Sequence, residues 1–71
     1  MIYMAKSVEI SILGMKQLRL EESRSTVKGV LVKNIDTSVI TEDRKIILND
    51  ENNKVLSEIY LPNNALVIVD K

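Results

Sequence analysis

The chain has no cysteine and no histidine, and only two glycines, one proline and two aromatic residues among its 71. Without Cys, neither a disulfide nor a cysteine-metal site can staple the fold. Without His, the usual general base and the commonest zinc ligand are missing. No Gly-rich phosphate loop and no nucleophile elbow stands in the sequence. Its paired acids, Glu21-Glu22, Glu42-Asp43 and Asp50-Glu51, are adjacent residues in or near turns, where carboxylates are usually solvated. A non-enzyme without metal or cofactor is expected. The apolar runs fall far short of the ~18 residues of a membrane span. Lys6 and Glu9 interrupt the apolar N-terminal stretch, which argues against a signal peptide. A soluble, cytoplasmic protein with no membrane partner is the expectation.

Charge of one sign is also lacking. Ten Lys/Arg balance ten Asp/Glu, so no overall basic footprint advertises nucleic-acid binding. The balance is uneven along the chain. Residues 1–33 hold six basic and three acidic groups, net +3, and residues 34–71 hold four basic and seven acidic groups, net −3. Such polarity can leave one basic face, match the acidic end of one subunit to the basic end of the next, or be a solvated mixed surface. Seventy-one residues make a single domain, 1–71, near the lower limit for unaided folding. Small scaffolds without staples often gain burial by oligomerising, which is the default expectation here.

Ile, Val and Leu dominate the apolar content, and heavy β-branched usage favours a mostly β domain. The last third is the most informative stretch. Two β-rich runs, 55–61 and 65–69, are separated by Pro62-Asn63-Asn64. Proline cannot donate to a ladder and Asn tolerates left-handed backbone, so the strand must break there and leave at an angle. Upstream, Gln17–Leu20 and Ser25–Lys33 read as strands joined by a polar turn, with Gly29 marking a bend or close backbone approach. Residues 38–48 form another run, interrupted by the charged residues 42–45. The turn formers of residues 49–53 join it to the strand from Lys54 as a hairpin. The N-terminal segment fits two periods. Val8, Ile10 and Ile12 alternate as in a strand, whereas Met4, Val8, Ile12 and Met15 recur as on one helix face, with Gly14 as its stop.

Together these pieces resemble an Sm-like (LSm) protein over nearly the whole chain. Residues 12–20, Ile-Leu-Gly-Met-Lys-Gln-Leu-Arg-Leu, look like that family's helix end and first strand. Lys28-Gly-Val-Leu31 matches the Gly-x-Leu of its second strand, and Asp36 falls near the motif aspartate, one place late. Leu56-Ser-Glu-Ile-Tyr-Leu61 and Leu66-Val-Ile-Val69 resemble its fourth and fifth strands. The resemblance implies an all-β, SH3-like barrel of five bent strands behind a short N-terminal helix, and it tips the ambiguous segment towards helix. It also implies a homo-oligomeric ring that binds single-stranded RNA, one base per subunit. The sequence departs from the family pattern at two places. Thr37, Ser38, Val39 and Ile40 stand where an asparagine is expected, and Pro62-Asn63 replaces an Arg-Gly. A base stack is worth roughly 1–3 kcal/mol, so loss of the arginine plane from each subunit matters. A shorter resemblance, Val8-Glu-Ile-Ser-Ile-Leu-Gly-Met-Lys16, is to the core strand of carbon-storage-regulator proteins, small RNA-binding β dimers.

The resemblance nominates Asp36, Ser38, Asn63 and Asn64 for RNA contact. Against this, Asp36 also suits an ordinary Asx turn, and the two asparagines suit the kink itself. It nominates Ile59, Tyr60, Leu61, Leu66 and Ile68 for the subunit interface, where an aromatic contributes a large buried area. Lys16, Arg19, Arg24, Lys28 and Lys33 are candidates for phosphate contact. The expected partners are the chain itself, single-stranded RNA and other proteins. The alternative function is an Sm-fold assembly module that has lost the RNA pocket.

Overall fold

β-Strands dominate the computed structural model, which describes residues 4–71, so Tyr3 lies outside the described residues. The strands are β1 (Met4–Ala5), β2 (Ser7–Ile12), β3 (Met15–Glu21), β4 (Thr26–Val27), β5 (Val30–Leu31), β6 (Asn34–Asp36), β7 (Lys45–Asn49), β8 (Val55–Tyr60) and β9 (Ala65–Asp70). A single helical turn, α1 (Ile40–Asp43), stands before β7. The strands form a four-stranded sheet β1-β6-β7-β8, a three-stranded sheet β3-β2-β9 and the small hairpin β4-β5. All pairings are antiparallel. The fold is all-β.

The expected N-terminal helix is not there. Residues 7–12 form β2, the central strand of its sheet, paired with β3 on one side and β9 on the other. The physical reason is local and long-range at once. Leu13 and Gly14 both take positive φ, 53° and 76°, which makes the two-residue turn of a tight hairpin instead of a helix stop. Stiff β-branched residues then alternate: Val8 and Ile10 are buried, while Glu9 between them is half-exposed. A central strand also satisfies its backbone groups on both edges, an option a lone helical reading of residues 4–15 ignores.

The expected strand over residues 25–33 is likewise broken. Lys28 and Gly29, at φ 50° and 82°, turn β4 back onto β5 as a second two-residue hairpin. A Cβ at Gly29 would meet nothing within 4 Å, so dihedral freedom, not close approach, is what glycine supplies there. The charged interruption at residues 42–45 corresponds to α1 and Arg44, which ends the turn in the left-handed conformation. The hairpin expected across residues 49–53 does join β7 to β8. Asp50 Oδ1 accepts from the N–H groups of Asn52 and Lys54 at 2.8 and 2.9 Å, and Asn53 takes φ 62°.

The two larger sheets face each other over Ala5, Val8, Ile10, Leu20, Val32, Ile35, Ile46 and Leu48. The chain passes between them three times, once from β3 to β6 through the β4-β5 hairpin and twice at short connections. Lys6 separates β1 from β2, with its N–H donated to the Asp70 carbonyl at 2.7 Å. Residues 61–64, with Pro62-Asn63-Asn64, separate β8 from β9, so the expected break sends consecutive strands into different sheets. The tightness of that second short connection is visible in Ala65, whose N–H reaches the Pro62 carbonyl at 3.2 Å. Among the described residues, nine strand segments in sheets that are not closed stand where five bent strands are expected.

Candidate functional site

One end of the molecule gathers the two connections that the sequence singles out. Asp36 closes β6, and its Oδ1 accepts from the Ser38 N–H at 2.9 Å, the Asx turn foreseen as its alternative role. The chain then winds through α1 to Arg44. The Arg44 carbonyl accepts from the Leu61 N–H at 2.7 Å, and Arg44 Nη2 donates to the Pro62 carbonyl at 3.0 Å. These two bonds clamp the α1 connection against the β8–β9 kink. Between them lies an open cleft of about 330 Å³ lined by Ile40, Thr41, Arg44, Leu61, Pro62, Ala65 and Val67. Its side chains are apolar apart from Thr41 and Arg44, while polar atoms make up about half of its exposed lining.

The four residues nominated for RNA contact do not converge in this cleft. Asp36 and Ser38 stand at the start of the α1 connection, and Asn63 and Asn64 are exposed at the kink; none of them lines it. Arg44 is the cleft's cation. Sequence reasoning missed it because nothing in a run of four charges marks the one that turns left-handed and reaches the kink.

The five interface candidates divide in two. Ile59 and Leu61 are half-buried and pack against the core. Ile59 pairs with Ile46, which is fully buried, and so lies on the inner face. Tyr60, Leu66 and Ile68 are 68, 63 and 52 % exposed. Their strands are free edges: β8 has only β7 beside it, and β9 only β2.

On the outer face of β7 and β8, Lys45, Glu58 and Tyr60 form a cluster. Lys45 Nζ lies 3.0 Å from Glu58 Oε1 and 5.7 Å from the centre of the Tyr60 ring. The hydrogen bond to Glu58 holds the Lys45 ammonium above the usual lysine range, and the same bond holds the Glu58 carboxyl below the usual carboxylate range. The cations proposed for phosphate contact are mostly committed elsewhere. Lys16 lies 3.1 Å from Glu9, Arg19 lies 3.0 Å from Glu21, and Arg24 lies 3.7 Å from the same Glu21. Lys33 Nζ donates to Ser23 Oγ at 3.3 Å.

A second concavity, about 280 Å³, lies between the β4-β5 hairpin and the β7–β8 turn, lined by Val30, Leu31, Lys33, Asp50, Glu51 and Asn52. Asp50 already spends one carboxylate oxygen on its own turn. Among the described residues no three acidic side chains converge on a metal-sized site. No helix among them is long and apolar enough to cross a membrane.

No family model, curated protein or solved structure matches the chain. The reading of function therefore rests on the geometry above and on the residues themselves.

Proposed function

We propose that this chain is a β-edge assembly module: a small domain whose work is to bind strands of further copies of itself along unpaired sheet edges. The observation that carries the reading is the pair of free edges at β8 and β9, with Tyr60, Leu66 and Ile68 more than half exposed along them. An unpaired edge presents a row of N–H and C=O groups, and exposed apolar side chains beside it favour a strand that covers both. The reading takes the two facing sheets as the walls of an open, Sm-like barrel, with the β8–β9 kink as its corner. It predicts a discrete oligomer in solution. Sedimentation or light scattering tests this, and a monomer at the highest soluble concentration would refute it.

Single-stranded RNA binding is the second reading, favoured by the meeting of the α1 connection and the kink at one end. Asp36, Ser38, Asn63 and Asn64 all belong to those connections, and Arg44 adds a guanidinium for stacking or phosphate contact. Set against it, Lys16, Arg19 and Arg24 each lie beside a carboxylate, which lowers the gain from phosphate contact. Affinity for a single-stranded oligonucleotide that falls when Asn63, Asn64 or Arg44 is replaced by Ala would establish it.

A further inference from the structure

We infer that the free edge of β9 is covered by β9 of a second copy, related by a twofold axis, in one particular register. The inference rests on the assembly reading and goes beyond it by naming the covering strand, the symmetry and the facing residues.

Natural sheets protect their exposed edges with short strands, charges, prolines or bulges. Among the described residues every other edge of the two larger sheets carries such a device. β1 is two residues long, β3 bears Lys16 and Arg19 and is bulged against β2, and β8 bears Glu58 and is bulged against β7. β9 has none of these from Ala65 to Val69. These first five of its six residues are uncharged and include no Pro or Gly, and its one charge, Asp70, stands at its very end. Its pairing with β2 runs without interruption, and Leu66 and Ile68 stand on the outer face. An edge of this kind is either an aggregation hazard or an interface.

The facing strand is chosen by what falls opposite what. Antiparallel neighbours share faces, so outward residues of β9 must meet outward residues of the strand that covers it. If β8 of another copy were that strand, the outward Glu58 would fall opposite Leu66, Ile68 or Asp70: apolar in two registers and of like charge in the third. If β9 itself is the partner, a twofold at Val67 places Val67 opposite its own counterpart. Leu66 then faces Ile68 of the second copy, and Ala65 faces Val69. These are the apolar, β-branched cross-strand pairs that stabilise sheets. Asp70 falls opposite Asn64, whose amide can donate to the carboxylate, and Lys71 falls opposite Asn63. The two neighbouring symmetric registers are worse. An axis at Ile68 sets Asp70 against Leu66, and an axis at Leu66 sets Ile68 against Asn64.

The cleft supplies a second, independent reason. It is lined on one side by the inward faces of Ala65 and Val67, so it opens beside the same edge. In the Val67 register the inward-facing Val67 and Val69 of the second copy are the side chains set next to it, apolar against Ile40, Leu61 and Pro62. The product is a continuous six-stranded sheet, β3-β2-β9 followed by its symmetry mate, closed by an isologous interface.

The absence of cysteine makes the register directly measurable. Leu66→Cys and Ile68→Cys are prepared as separate single variants, mixed, and treated with a short thiol cross-linker. The inference predicts cross-linked dimer in the mixture and little in either variant alone, because positions 66 and 68 face each other and not themselves. Ile68→Lys should convert a wild-type dimer to the 8.0 kDa monomer with an unchanged circular dichroism spectrum, since the side chain is exposed in the single subunit. Tyr60→Lys should leave the dimer intact. Equal cross-linking in each variant alone, or a dimer that survives Ile68→Lys, overturns the inference. A larger assembly dissolved by Tyr60→Lys but not by Ile68→Lys overturns it while sparing the assembly reading. A monomeric wild type overturns both.

Discussion

Replacing Leu13 by Asn should stabilise the protein, although it exchanges an apolar residue for a polar one. Leu13 is the first residue of the β2–β3 turn, at φ 53° and 86 % exposed. It contributes almost no burial, and left-handed backbone costs an ordinary L-residue about 1–2 kcal/mol. Asn occupies that region far more readily, and Asn-Gly is the preferred pair for a two-residue hairpin turn. Recovering half or more of the strain predicts a gain of about 0.5–1.5 kcal/mol. For a domain of this size that is a rise in Tm of about 4–8 °C for each kcal/mol. Urea unfolding of wild type and variant, followed by far-ultraviolet circular dichroism, reads the gain as a higher midpoint at constant slope. The opposite sign would refute the hairpin. If residues 4–12 were helical and ended at Gly14, Asn at position 13 would cost roughly 0.5 kcal/mol in helix propensity.

Three other perturbations probe the core, the ion pair and the kink. Ile46→Ala empties a fully buried site between the sheets and should cost about 2–5 kcal/mol, enough to unfold much of a small domain; a smaller loss by urea titration would mean the core is looser than described. Glu58 is held below the usual carboxylate range and Lys45 above the usual lysine range. Their pairing therefore adds stability between those two ranges, lost as pH falls through the folded Glu58 pKa or rises through the folded Lys45 pKa. Glu58→Gln should flatten both flanks of the stability–pH curve slightly, since the pair is accessible to water, and unchanged flanks would show that the pair contributes nothing. Arg44→Ala removes the hydrogen bond to the Pro62 carbonyl and should raise amide exchange at the 62–65 turn, with exchange in β2 unaffected. Equal exchange at that turn would deny the clamp.

The parts of the fold legible in the sequence are those whose cause is local. Asn49 to Asn53 make a hairpin because Asp50 ties its own turn with two hydrogen bonds. Pro62 breaks the strand because it has no N–H to give. The N-terminal strand was not legible because both periods fit residues 4–15, and the deciding partner, β9, stands more than fifty residues downstream. Family resemblance then weighed the wrong way. Leu13-Gly14 and Lys28-Gly29 share one signal, an X-Gly pair between apolar strand residues, and reading both as tight turns would have found both hairpins.

The candidate site was legible in outline only. The exposed half of the interface set, Tyr60, Leu66 and Ile68, follows from alternation along two strands. Ile59 lies on the opposite face of β8 and Leu61 just beyond its end, both packed on the core, and a list of apolar residues could not separate the two faces without knowing the sheet's inner side. Arg44 depends on a contact between residues 44 and 62 that no spacing announces.

The most direct test of the assembly reading is the native mass of the full chain, purified without nuclease treatment and measured across a range of concentrations. A nucleic-acid-free oligomer, expected as a dimer of twice the 8.0 kDa chain, is the predicted result. A bare monomer at every concentration would contradict it.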